Sequence, residues 1–194
     1  MLSRRTFLKT TLAANAALLA PASLALSITH ISQDQQPVLI FADETSPDSA
    51  LFAEQFSEQA SVVGLDIGQH FDTFNTFCSD HVNGWVSGIT RDSDFFVLQQ
   101  LAAQHRYITA YSATHTSAST QLTHRVSSST DKAPLLADAL ANAKKKWPVW
   151  LADNLAVLNS QQPASNTALS STQSATDNQV LVSWLFVPSN PATR

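Results

Sequence analysis

A single layered α/β domain is what this sequence predicts: three N-terminal parallel strand-helix units, then a β-hairpin, a Pro-broken helix pair and a C-terminal return strand. Two observations carry the prediction. Three short apolar runs, at residues 38–42, 61–66 and 84–89, are each followed by a helix-start signal and by apolar residues at helical spacing. A strand followed by a helix three times over implies parallel strands joined by crossovers. After residue 105 the alternation stops, and two strand-like runs stand too close together for a crossover helix between them.

The run at 38–42, Val-Leu-Ile-Phe-Ala, is continuous and apolar, the pattern of a strand buried on both faces, and it ends in Asp43 and Glu44. Ser46 is placed to cap a helix with Pro47 in its first turn and Asp48 close behind. Leu51, Phe52, Phe56 and Ala60 repeat along it at helical spacing. The second run ends on Asp66, and after Gly68 a second helix carries Phe71, Phe74, Phe77 and Cys78 on one side, with Asp72 near its positive end. The third run is followed by a Thr90-Arg91 turn, with Asp92 as cap of a helix through Ala103 that buries Phe95, Leu98 and Leu101 or Ala102.

Residues 106–112 and 121–127 read as the two arms of a hairpin. Thr130 or Asp131 then caps a helix over 133–146 whose three terminal lysines favour its negative end, and Pro148 breaks it. A further helix to Leu158 aligns Trp147, Trp150, Leu151 and Leu155. Residues 161–178 are mostly Ser, Thr, Gln, Asn and Ala without periodicity, and read as a polar disordered loop. Residues 180–187 form the return strand, placed beside the hairpin, before a tail at 189–194.

A different kind of segment precedes the domain. Ser3-Arg4-Arg5-Thr6-Phe7-Leu8-Lys9 is followed by an uncharged stretch, residues 10–26, made mostly of Ala and Leu, with small residues at Ala20, Ala22, Ser23 and Ala25. Residues 1–25 closely resemble a twin-arginine (Tat) signal peptide, with Arg4, Arg5, Phe7 and Leu8 matching its recognition motif. The resemblance implies a prokaryotic chain handled by the Tat translocase, cut by signal peptidase after Ala22 or Ala25, and working in the periplasm or outside the cell. Residues 26–36 then form a polar tether and 37–188 the domain. No later apolar run approaches the ~20 residues of a membrane-spanning helix, so the mature chain is expected to have no membrane span.

Removing residues 1–25 takes away three cations and no acid, moving the formal charge from −4 to −7. The one basic tract beyond the signal, Lys144-Lys145-Lys146, is too small for a nucleic-acid footprint. Trp147 and Trp150 beside it read either as core or as a partner surface. Cys78 is the sole cysteine, which rules out an intrachain disulfide and fits a small buried residue better than a catalytic thiol. The sequence lacks a Cys-x-x-Cys-His motif for c-type haem. It also lacks a Gly-x-Gly-x-x-Gly after the first strand, which argues against a Rossmann dinucleotide.

Ligands in open parallel sheets bind outside the carboxyl ends of the strands. Those ends hold Asp43 and Glu44, then Asp66, then Thr90, Arg91 and Asp92: a rim able to hold a divalent metal such as Mg²⁺ or Ca²⁺, with Arg91 as an anion clamp. The same aspartates also suit plain helix caps. A turn near residues 118–120 would set His115 and His124 nearly opposite each other, able to share Zn²⁺ or Cu²⁺ or simply to sit as polar residues of the hairpin. Three functions follow as expectations. The first is an exported soluble accessory or binding protein of a redox or transport system, with a periplasmic partner protein and no evident catalytic constellation. The others are a metal-dependent hydrolase of phosphate or related esters at the acidic rim, and a small periplasmic metal-binding protein using the hairpin histidines.

Overall fold

The computed structural model describes residues 36–159, 162–173 and 178–189. The expected signal peptide and nearly all of the tether lie outside the described residues, as does the tail after Ser189. The protein is a mixed α/β fold with one seven-stranded sheet. In chain order its elements are β1 (Val38–Ala42), α1 (Pro47–Glu54), β2 (Ser61–Gly64), α2 (Ile67–Asp80), β3 (Trp85–Thr90), α3 (Asp92–Gln104), β4 (Tyr107–Ala118) and β5 (Gln121–Ser128). They continue with α4 (Ala133–Ala143), a 3-10 turn at Lys144–Lys146, α5 (Trp147–Asp153), α6 (Leu155–Leu158), β6 (Asn166–Gln173) and β7 (Gln179–Pro188).

The strand order is β2-β1-β3-β7-β4-β5-β6. β1 pairs parallel with both β2 and β3, whereas β7 runs antiparallel to β3 on one side and to β4 on the other. Side chains alternate along β7 between two cores. Leu181, Leu185 and Val187 face a layer built from α1, α4, α5 and α6, which includes Phe52, Leu136, Leu140, Trp147 and Leu151. Val182, Trp184 and Phe186 face α2 and α3, with Phe74, Phe77 and Leu98. An apolar run with no polar face is what a central strand covered on both sides requires.

This second face is open toward the far edge of the sheet. There Thr116, Arg125, Thr167, Leu169 and Ser171 are exposed, which explains why the distal strands are rich in Ser and Thr.

Gly88 marks the tightest packing. A Cβ at this position would lie 2.6 Å from the Phe41 carbonyl oxygen and 2.9 Å from Trp184 Cζ2. The first of these is backbone in the neighbouring strand and cannot swing away. Gly88→Ala is therefore expected to destabilise the domain by about 1–3 kcal/mol, measurable by urea unfolding; an unchanged midpoint would show that β1 and β3 can separate to admit a methyl group.

Three local expectations are corrected. The helix expected over 133–146 stops at Ala143, and Lys144 takes a positive φ of 52°. In a continuous helix the Pro148 ring would collide with the carbonyl four residues earlier, that of Lys144, so the break falls there. Pro148 itself stands in the first turn of α5, where its missing N–H is harmless. The expected caps are displaced too: Lys132 rather than Thr130 or Asp131 begins α4, and Arg91 rather than Asp92 begins α3, neither with a side-chain cap bond.

The third correction concerns the polar stretch 161–178, whose described part contains β6, paired along its length with β5. Ser and Thr suit a strand with one wet face, and Ala168 supplies the contact to the core on the other.

Candidate functional site

β1 ends at Ala42, and the next residues fold back on themselves. The Asp43 backbone N–H donates to Ser49 Oγ at 2.8 Å, and the Ser49 hydroxyl donates to the Ile89 carbonyl at 2.7 Å, which ties this corner to β3. Asp43 Oδ1 accepts from the Thr45 backbone N–H at 2.9 Å and from its hydroxyl at 2.6 Å. Its other oxygen lies 3.7 Å from Arg91 Nε, and Arg91 Nη2 donates to Thr45 Oγ1 at 3.3 Å. Asp43, Thr45 and Arg91 thus form a closed cluster in which both carboxylate oxygens are engaged. Burial holds the Asp94 carboxyl above its ordinary range, with Arg91 opposing the rise and Asp43 adding to it.

The other rim residues have separate duties. Thr90 is buried, accepts from the Trp184 indole N–H at 3.1 Å and donates to the Arg91 carbonyl. Asp66 is exposed and caps α2 through the Gln69 backbone N–H at 3.1 Å. Asp92 is exposed in the first turn of α3, where the helix dipole favours it. Among the described residues no three His, Cys, Asp or Glu side chains converge as metal ligands.

His115 and His124 do meet. They are register partners in the hairpin of β4 and β5, their Nδ1 atoms are 2.7 Å apart, and both are buried. Trp147 from α5 stacks on His115 at 3.8 Å between ring centroids, closing the site from the helix side. The far nitrogen of His115, Nε2, lies 2.7 Å from Ser183 Oγ, and that hydroxyl lies 3.1 Å from the Tyr111 hydroxyl. A four-member chain, His124-His115-Ser183-Tyr111, therefore crosses three adjacent strands.

Two proton orders fit this chain. In one, Tyr111 donates to Ser183, Ser183 to His115 Nε2, and His115 Nδ1–H to His124; in the other every donor is reversed. His124 Nε2 has no hydrogen-bond partner among the described residues under either order. Burial lowers both imidazole pKa values; the neighbouring His124 lowers His115 further, and His124 itself is pushed down to about 4. Both rings are neutral at pH 7.

A serine on a histidine backed by a second polar group has the connectivity of an activated nucleophile. Ser183 is fully buried between β3 and β4, however, so no acyl or phosphoryl group can approach its oxygen. A zinc ion held tetrahedrally by both Nδ1 atoms at ~2.0 Å would set them about 3.3 Å apart. At 2.7 Å they are in direct hydrogen-bond contact. The arrangement is a polar ladder inside the core.

The sequence reading missed Ser183, Tyr111 and Trp147 as members of this group. A signal was present, because Ser183 is a lone hydroxyl within an otherwise apolar strand and a buried hydroxyl demands a partner. Cys78 is buried on α2, and desolvation pushes its thiol up to about 11, which makes a reactive thiolate unavailable at neutral pH.

The β2 edge of the sheet carries a surface feature that the sequence did not suggest. A shallow groove of about 430 Å³ runs between α1 and β2, lined by Ala42, Ala53, Ala60 and Val62 and by the exposed carboxylates of Glu44 and Glu54. Neither glutamate has a salt-bridge partner among the described residues. Comparison with protein-family models, with curated proteins and with solved structures found no match.

Proposed function

We propose that this α/β domain, with three N-terminal parallel strand-helix units followed by a hairpin, a helix pair and a return strand, is an exported binding or accessory protein that acts through a partner. The observation that carries the reading is the contrast between its polar groups. Asp43, Thr90, Asp66, His115 and Ser183 are each engaged in holding the fold together. The alanine-lined groove, with two carboxylates that have no salt-bridge partner among the described residues and a short edge strand beside them, is left for another molecule. Its chemistry suits an extended segment with a small apolar side chain flanked by Lys or Arg, adding to the β2 edge. The resemblance of residues 1–25 to a Tat signal supports export of the folded chain to the periplasm.

A photo-crosslinking residue in place of the half-exposed Val62, at 41% exposure, is expected to capture one defined protein from the periplasm of the source cell. Reversing both charges with Glu44→Lys and Glu54→Lys is expected to weaken that complex about tenfold at low ionic strength and less at high salt. Repeated recovery of the uncrosslinked chain alone would overturn the reading.

A further inference from the structure

A sheet of seven strands has two edges, and they differ. β2 is four residues long and ends at Gly64. β6 runs eight residues, pairs with β5 at every position without a bulge, and contains no charged residue and no proline. Short length, charge, proline and bulges are the devices that keep an edge from pairing with another chain. β6 has none of them; α4 packs on the inner face of β6, and no described strand pairs with its outer side.

We propose that β6 pairs antiparallel with β6 of a second copy about a two-fold axis through Leu169, joining two seven-stranded sheets into one. Self-complementarity is the argument for a second copy. Such an axis sets residues of equal parity opposite each other, so the two faces of the sheet stay continuous across the joint. Leu169, which is 61% exposed on the open face, then covers Leu169 of the second copy. Thr167 meets Ser171 of the second copy, and Ala168 meets Ser170.

The hydroxyl row is already begun within one chain, where Ser127 and Thr123 on β5 lie 3.2 Å from Thr167 and Ser171 on β6. The joint extends it, giving Ser127, Thr167, then Ser171 and Thr123 of the second copy in one line. Like charges stay apart. Arg125, the one Lys or Arg on β5, is the register partner of Leu169, so the two Arg125 side chains are three strand spacings apart, about 14 Å, beyond the Debye length at physiological salt.

The test uses the full chain, by light scattering coupled to size exclusion at concentrations on the order of 10 µM. The wild-type chain is expected at twice the chain mass, Leu169→Lys at the single mass with a cooperative unfolding transition retained and a melting temperature that no longer rises with concentration, and Leu169→Ile at twice the mass. Leu169→Cys is expected to crosslink to the double mass under a mild oxidant, because directly opposed side chains across an antiparallel pair lie within disulfide reach and Cys78 is buried. A monomeric wild-type chain, a Leu169→Lys chain that still dimerises, or β6 found capping an unrelated extended segment would each overturn the proposal. Crosslinking through Val62 probes the other edge of the sheet, so either proposal can fail while the other stands.

Discussion

Trp184→Ala is expected to destabilise the domain by about 3–5 kcal/mol, lowering the melting temperature by roughly 6–20 °C. The ring is fully buried on the central strand β7. It stacks on Phe186 at 4.4 Å and lies against Phe95 and Phe41, so it fills the space between the sheet and the α2/α3 layer. It also satisfies Thr90 through its indole N–H, and truncation leaves that buried hydroxyl without its donor. Trp184→Phe keeps most of the apolar volume and is expected to lose less, about 1–3 kcal/mol, mainly from the unpaired Thr90 oxygen. Urea unfolding of the two variants separates the terms; equal losses would show that the hydrogen bond, not the ring volume, is what the core depends on.

Acid is expected to unfold the protein through its buried imidazoles. His115 and His124 are neutral in the fold, held below the ordinary value of 6.5, with His124 near 4. Above pH 6.5 neither state protonates them and the full stability is present. Below it the unfolded chain takes up protons that the folded chain refuses, so stability falls with pH at up to about 1.4 kcal/mol per pH unit for each histidine. The decline continues until the folded state protonates as well.

Denaturant midpoints between pH 7 and 5 follow this effect across the range in which the unfolded chain's histidines take up protons. His124→Phe is expected to halve the slope. A midpoint independent of pH over that range would refute the buried neutral pair.

The mixed α/β class with one sheet could be read from three apolar runs and the helical spacing after each, because those patterns come from local burial. The facing of His115 and His124 followed from the position of one turn, since hairpin register is set locally. What joined them to Ser183 and Tyr111 was not legible: β7 follows the hairpin in sequence only after helices α4 to α6 and β6, and although the return strand was expected beside the hairpin, nothing in residues 180–187 fixes the register that sets Ser183 opposite Ala113. β6 was read as a disordered loop because polarity was weighed without its edge position, where an exposed face is allowed. The Asp43–Arg91 cluster was half legible. Strand ends place both residues at one rim, but it is the turn after β1 that brings Thr45 onto the carboxylate, and no local pattern announces that contact.

The position of β7 also dictates when the protein can become itself. Among the described strands the central one comes latest in chain order, so β3 and β4 are made with no neighbour on their facing sides and cannot be joined until residues 179–188 have emerged. Pairings between distant parts of a chain form slowly, and the two bare edges are vulnerable to aggregation in the interval. Under the proposed export route, which carries folded chains, the address precedes the domain in the chain yet becomes usable only after β7 has slotted home.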